Sequence, residues 1–386
     1  MGIPASDSST TCSWTTVITL SFLSVGYARK VDPQDLVVAG TRRQKHVDEV
    51  LDRFFSLAKN RASAIGPRYL TLWQTLEKNT SGGKRFRPSM VMGAYESLGG
   101  TDLEAAAHVG AAFELLHTAL IVHDDVIDRD FIRRGGVNVS GVYRDIAQTA
   151  GIPIPAAEHR GLSVAVIAGD LALFYAFRLL DRSGIDGEVR TRLHDIFDEA
   201  LFASAAGELF DVDFSQHRSM PTVDEVVDME RLKTAVYSFE SPVEAGAVLA
   251  GASDEAVRAL ASFGRNIGIA YQIVDDLLGV FGDETATGKT TVGDLREGKR
   301  TVLIAYASER PEWLEISRWL GLPDLTWEQA AVVRRALEDC GARAYAEDLA
   351  REFANRAAEE LDSPALPDAV RDEFRPIIET VLGRVR

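Results

Sequence analysis

The chain has 386 residues, 46% hydrophobic and 26% charged, the composition of an ordinary globular protein with one large domain or two smaller ones. Its 42 Lys and Arg against 58 Asp and Glu give a net charge of −16, which excludes general binding to nucleic acid or anionic membranes unless basic residues gather locally. The two cysteines, Cys12 and Cys340, are far apart and lack metal-ligand spacing, which excludes a disulfide framework and a zinc site and leaves the cytoplasm as the default compartment.

Residues 1–44 read as an N-terminal extension without a fold of its own. Trp14–Tyr27 is apolar, but Thr and Ser interrupt it and it is too short to span a bilayer. Asp7 stands where a signal peptide needs positive charge, so no stable membrane insertion is expected. After a basic cluster at Gly83–Pro88 (GKRFRP), Ala105–Ile127 is apolar on nearly every face and predicts a buried core helix. Ala165–Leu180 and Ala256–Val280 share that character, while Arg190–Phe214 and Glu225–Ala250 are helical stretches rich in Ala, Leu and Glu. The longer loops are placed near Gly135–Glu158 and Gly282–Lys299. From Trp327 to Arg386 the pattern is amphipathic and helical, with breaks at Pro364, Pro367 and Pro376. Period-2 alternation is not convincing anywhere, so the expectation is one all-α domain over residues 45–386.

Chemistry concentrates at the end of the first buried helix. His123-Asp124-Asp125-Val126-Ile127-Asp128 packs three carboxylates into little more than a turn, and Asp124 and Asp128 share a face at i and i+4. Like charges at that spacing repel unless a cation joins them. A set of carboxylate oxygens suits a hard ion such as Mg²⁺, which completes its shell with water and phosphate oxygens. Arg133-Arg134-Gly135 follows at once, and mixed Asp and Arg is what a metal–diphosphate site requires. Some 150 residues later a second apolar helix ends in Gln272-Ile273-Val274-Asp275-Asp276-Leu277-Leu278-Gly279 and leads into Gly288-Lys289 and Asp294–Lys299. Further cations lie at Lys84, Arg87 and Lys233-Thr234.

Three decoys are set aside. Thr287-Gly288-Lys289-Thr290-Thr291 imitates the tail of a phosphate-binding loop, but a helix precedes it where a strand is required. His117 with His123-Asp124 faintly suggests a metal-dependent phosphohydrolase, yet the seven histidines are scattered. Asn79-Thr80-Ser81 and Asn138-Val139-Ser140 match glycosylation sequons, which a cytosolic protein does not use.

Taken in order, these motifs resemble those of the trans-isoprenyl diphosphate synthases, the polyprenyl synthetase family, over roughly residues 45–386. The resemblance rests on GKRFRP, His117-Thr118-Ala119, Asp124–Asp128 with Arg133-Arg134-Gly135, Gly169-Asp170, Lys233-Thr234, Gln272 with Asp275-Asp276, and Asp294–Thr301 (DLREGKRT). It implies the isoprenoid synthase fold, antiparallel helices around a deep central cavity, a homodimer, and three Mg²⁺ ions per site. It also implies condensation of isopentenyl diphosphate with an allylic diphosphate. By resemblance, Asp124, Asp125, Asp128 and Asp275 would act on Mg²⁺. Arg133, Lys233, Thr234, Gln272, Lys289 and Lys299 would hold the allylic diphosphate. Lys84, Arg87, His117 and Arg134 would hold isopentenyl diphosphate.

The chain departs from the family pattern in three places. Gly279 stands where a third carboxylate is usual, a form similar to actinobacterial-type members, and Asp283 one turn on is the nearest replacement. Glu208 stands where the family often has Gln, and Gly136-Val137-Asn138 replaces a stretch that usually contains Pro and His. Residues just before the first aspartate motif floor the product pocket in the family. Here they are Ala119 and Leu120, with Phe113 the nearest aromatic and Leu115-Leu116 between. That implies a product of at least C20, geranylgeranyl diphosphate first among them, with farnesyl or longer polyprenyl diphosphates as alternatives. A terpene cyclase would not need Lys84 and Arg87, and a non-catalytic partner subunit would be expected to lose aspartates from the first motif.

Overall fold

The computed structural model describes residues 33–83, 85–133, 135–216, 219–282 and 291–384, with side chains from Thr41 onward. The helix that opens the fold, α1 (Pro33–Ile65), begins twelve residues ahead of the boundary expected at 45, and Arg42 and Arg43 already pair with Glu96. It is followed by α2 (Pro67–Thr80), α3 (Phe86–Ser97) and α4 (Leu103–Ile127). A short antiparallel pair, β1 (Ile132–Arg133) and β2 (Gly136–Val137), separates α4 from α5 (Val139–Thr149). Next come α6 (Ile154–Asp181), α7 (Gly187–Gln216) and α8 (Val223–Glu230). A π-helical segment, Arg231–Glu240, runs from α8 into α9 (Ser241–Leu249), and α10 (Asp254–Phe281) follows. The remaining helices are α11 (Gly293–Glu297), α12 (Val302–Ser308), α13 (Trp313–Ile316), α14 (Trp327–Asp339), α15 (Ala342–Leu361) and α16 (Asp368–Gly383).

The caps are legible in local chemistry. The Asp102 carboxylate accepts from Ala105 N at 3.1 Å to start α4, and Ser253 Oγ accepts from Ala256 N at 3.3 Å to start α10. Thr222 and Glu225 form a capping box on α8, as do Thr326 and Gln329 on α14. Small residues set the tightest approach: Ala342, Ala346, Ala350, Ala354 and Ala357 form one fully buried stripe of α15, the face that packs on α10.

Three expectations need correction. The segment Gly135–Glu158 is not a loop but holds all of α5 and the start of α6. Asn138 explains it, since its Oδ1 accepts from Gly141 N at 2.9 Å as an N-cap. Pro376 does not break the chain; it lies inside α16, and the break falls at Pro364 and Pro367 between α15 and α16. Ala165–Leu180 belongs to a helix that is only partly core. Both α4 and α6 are long and apolar enough to cross a membrane by length and composition, but the apolar window of α4 is 78% buried and that of α6 is 33% buried. Val166, Ile167 and Phe174 of α6 are exposed, as are Phe202, Leu209 and Phe210 of α7.

Candidate active site

The first acidic stretch is held by its own neighbourhood of cations. Gly135, at φ 72°, closes the turn between β1 and β2 and folds Arg133 back onto the end of α4. Arg133 Nε donates to Asp125 Oδ1 at 2.5 Å and Nη2 donates to Asp124 Oδ2 at 2.7 Å. Asp125 is buried, and burial pushes its carboxyl up to about 6 against the opposing pull of Arg133. Asp128, at the C-cap of α4 and more exposed to water, is also shifted upward, first by desolvation and then by the charge of Asp124.

Lys233 projects from the π-helical segment into the same place. Its Nζ lies 3.3 Å from Asp124 Oδ1, 3.0 Å from Glu208 Oε2 and 2.5 Å from Asp211 Oδ2. Burial alone would lower the ammonium's pKa, but Asp211, Asp124 and Glu208 raise it, so Lys233 stays charged. Glu208 therefore meets a lysine directly, which gives the departure from Gln a physical partner. The π register ends at the start of α9. Pro242 carries no N–H, and just before it Ser241 N donates back to Val236 O, five residues away. Gly207 of α7 has no side chain to hold the segment off: a Cβ there would stand 2.6 Å from Lys233 Cα.

The second acidic stretch lies on α10. Asp275 Oδ1 is 3.4 Å from Arg384 Nη2, and the Arg384 guanidinium also covers the Tyr271 ring at 5.0 Å. Gln272 Nε2 donates to Asp276 Oδ1 at 2.9 Å. Behind Asp276, Glu230 is 2% exposed, and its carboxyl is set against that of Asp276. Burial and then the Asp276 charge hold Glu230 well above the usual carboxylate range, and burial likewise raises Asp276. Lys299 Nζ pairs with Asp294 Oδ1 at 3.1 Å, and its charge is felt by Asp128, so the cations between the stretches act on both.

A separate polar cluster surrounds Arg87. Its Nε donates to Ser238 Oγ at 3.1 Å, its Nη2 to Tyr237 Oη at 3.2 Å, and its guanidinium lies 4.9 Å from the Tyr237 ring centroid. Tyr237 Oη is 3.3 Å from His117 Nδ1. His117, Leu120 and Phe113 fall on the stripe of α4 that ends at Asp124, at i−7, i−4 and i−11. Phe113, Leu116 and Ala119 are fully buried, and Phe113 packs on Phe197 of α7 with ring centroids 4.8 Å apart.

Arg133, Lys233 and the first aspartates are thus brought together, as are Arg87 and His117. Gln272 and Lys299 point to Asp276 and Asp294, and Thr234 is half-buried beside Lys233. Lys84, Arg134, Lys289 and Asp283 lie outside the described residues. Asp211, Tyr237 and Ser238 are the partners that reading the sequence missed. Asp211 is one turn beyond Glu208 on α7, and Tyr237 and Ser238 one turn beyond Lys233-Thr234, so helical spacing from known motif residues was the available signal.

Among the described residues, no three His, Cys, Asp or Glu side chains converge as a ready-made metal cage. The donors that face this site are carboxylates, hard oxygen ligands of the kind Mg²⁺ takes one or two at a time together with phosphate oxygens. A groove of about 480 Å³ lined by Glu255, Arg258, Ser262, Glu360 and Ser363 lies ~20–30 Å along α10 from Asp275 and takes no part in this arrangement.

A sequence model of the polyprenyl synthetase family matches residues 71–337. A geranylgeranyl diphosphate synthase of Sulfolobus acidocaldarius is 39% identical over 60% of this chain, a match that spans 64% of that enzyme's length. A geranylfarnesyl diphosphate synthase of Aeropyrum pernix is 31% identical over 88% of this chain and 99% of its own. Among solved structures, the geranylgeranyl pyrophosphate synthase of Corynebacterium glutamicum, complexed with isoprenyl diphosphate and magnesium, superposes with a TM-score of 0.83. That pair is 30% identical, covering 89% of this chain and 99% of the other. Two acidic helix ends with Lys233 beside the first, the all-α architecture and the family match agree: the chain belongs to the polyprenyl synthetase family.

Proposed function

We propose that this chain condenses isopentenyl diphosphate with an allylic diphosphate, head to tail, to give an all-trans prenyl diphosphate five carbons longer, with geranylgeranyl diphosphate as the main product. The observation that carries the reading is the position of Lys233, a half-buried cation held by Asp124, Glu208 and Asp211 at the mouth of the first acidic stretch.

Asp124, Asp128 and Asp275 would hold Mg²⁺, up to three ions with the diphosphate oxygens completing their shells. Bound there, the metal neutralises the diphosphate and stabilises it as a leaving group. Arg133, Lys233, Thr234, Gln272, Lys289 and Lys299 hold the allylic diphosphate, with Arg133 and Lys233 turning from carboxylates to phosphate oxygens. Lys233 stays charged and stabilises the charge that develops as the allylic C–O bond ionises. Arg87 and His117, with Lys84 and Arg134, hold isopentenyl diphosphate so that its double bond meets the allylic carbocation. The proton then lost passes to the departing pyrophosphate, so no side chain need serve as a nucleophile.

Chain length follows from α4. Ala119 and Leu120 put no aromatic ring between Asp124 and Phe113, and Phe113, braced by Phe197, lies eleven residues and about 16 Å further down α4. A homodimer is supported by α6 and α7, which meet at Phe177 and Phe197 and expose Phe174 and Phe202 close to that contact. Incubation with Mg²⁺, isopentenyl diphosphate and each allylic primer tests the whole reading: farnesyl diphosphate should be extended to C20, and failure to extend it at all sinks the assignment.

A further inference from the structure

Gly279 is the residue at which the second acidic stretch lacks its third carboxylate, and the structure does not leave that place without one. Gly279 is buried on α10 and shares a helix face with Asp275 at i−4 and Asp276 at i−3. A Cβ built on it would overlap Asp294 Oδ2 and stand 2.9 Å from Asp294 Cγ. The carboxylate of Asp294 thus lies against the α10 backbone where a side chain of residue 279 would begin. Helix α11 delivers it, ending at Gly298 in the left-handed region at φ 70° so that Lys299 N returns to Asp294 O at 3.1 Å. The same turn brings Lys299 Nζ onto Asp294 Oδ1.

We propose that Asp294 is the third carboxylate of the second acidic wall, supplied by α11 of the same chain in place of the α10 side chain that Gly279 lacks. The assignment rests on the divalent-metal reading above and deepens it. Charge bears on it: Arg384 lies 3.4 Å from Asp275 and Lys299 pairs with Asp294, while Asp276 between them has the neutral Gln272 as its hydrogen-bond donor. A side chain at 279 would make the Asp294 carboxylate swing aside and would loosen Lys299 with it. Asp294 acts on the cation from a second helix, so the wall's affinity depends on how α11 is seated on α10.

The experiment is a Mn²⁺ titration of the full chain, read by the loss of the free-ion electron paramagnetic resonance signal, with melting curves to confirm folding. Asp294→Asn should weaken Mn²⁺ binding about tenfold. Gly279→Asp alone should weaken it as well, by forcing two like charges into one place. Gly279→Asp combined with Asp294→Ala returns the carboxylate to α10 and should restore affinity to within about threefold of the unmodified chain. Unchanged binding by folded Asp294→Asn, or no recovery in the folded double variant, overturns the assignment alone. Absence of Mn²⁺ binding by the unmodified chain, both without and with inorganic pyrophosphate, overturns the metal reading and this inference together.

Discussion

Gly207 and Lys233 touch backbone to backbone: a single added Cβ on α7 would reach Lys233 Cα at 2.6 Å. The position of the lysine ammonium among Asp124, Glu208 and Asp211 therefore depends on a residue with no functional group. Gly207→Ala should move the π-helical segment outward and lower kcat about 100-fold, the penalty of a misplacement near 1 Å. Overpacking should cost about 1–3 kcal/mol of stability. Steady-state kinetics with a melting curve checks both, and a folded variant with full kcat would detach Lys233 from the reaction.

Removing the charge itself is the sharper test. Lys233→Met leaves Asp124, Glu208 and Asp211 without their shared cation, and kcat should fall about 100- to 1,000-fold. Lys233→Arg keeps the charge but not the compact ammonium, and should recover only part of the loss.

Metal removal should abolish turnover, because Asp124 and Asp128 would otherwise face a polyanion. Dialysis against a chelator followed by Mg²⁺ addition should return the rate, and Asp124→Asn should raise the Mg²⁺ concentration needed for half-maximal rate. Persistent activity in chelator would refute the role given to both acidic stretches.

Product length should respond to α4. Ala119→Phe should shorten the product, since a ring would fill the elongation path below Leu120. Phe113→Ala should lengthen it, and because Phe113 is fully buried against Phe197 it should also cost about 3–5 kcal/mol of stability. Chromatography of the dephosphorylated products reads the first effect and thermal melting the second.

Stability should carry a pH signature from Glu244 on α9. Burial, and then Glu240, pushes its carboxyl up to about 7. Between its ordinary value of 4.5 and about 7 the folded chain keeps a proton that the unfolded chain has lost. Stability should therefore fall as pH rises through that window, at a slope of no more than about 1.4 kcal/mol per unit. Glu244→Gln should raise Tm in alkaline buffer and leave it unchanged below the window. An equal shift at every pH would mean that the carboxyl does not titrate there.

Much of this architecture was open to sequence reasoning because its signals are local. Asp124, Asp128 and Asp275 end strongly apolar helices, and Arg133 follows the first of them at once, in a short loop. Other features depend on what meets in space. Asn138 was read as a sequon residue, and only its bonds to Gly141 N and Asp130 O show that it starts a helix. The apolar run of α6 predicted burial, since hydropathy does not distinguish a core face from an exposed one. The π register of Arg231–Glu240 has no compositional mark apart from Pro242. Asp294 stood within a motif, but its relation to Gly279 exists only once α11 lies on α10.

The pairing of Arg133 and Lys233 with Asp124 and Asp125 has a consequence for how this protein is made. The chain carries its own counter-ions, so its acidic centre assembles during folding with no metal required, unlike domains that stay unfolded until an ion arrives. Loading can then follow folding as a separate event, in which incoming cations take over from side chains already in place. On the Mg²⁺ requirement proposed above, a cell short of magnesium would accumulate folded, idle protein, ready to work when the ion returns.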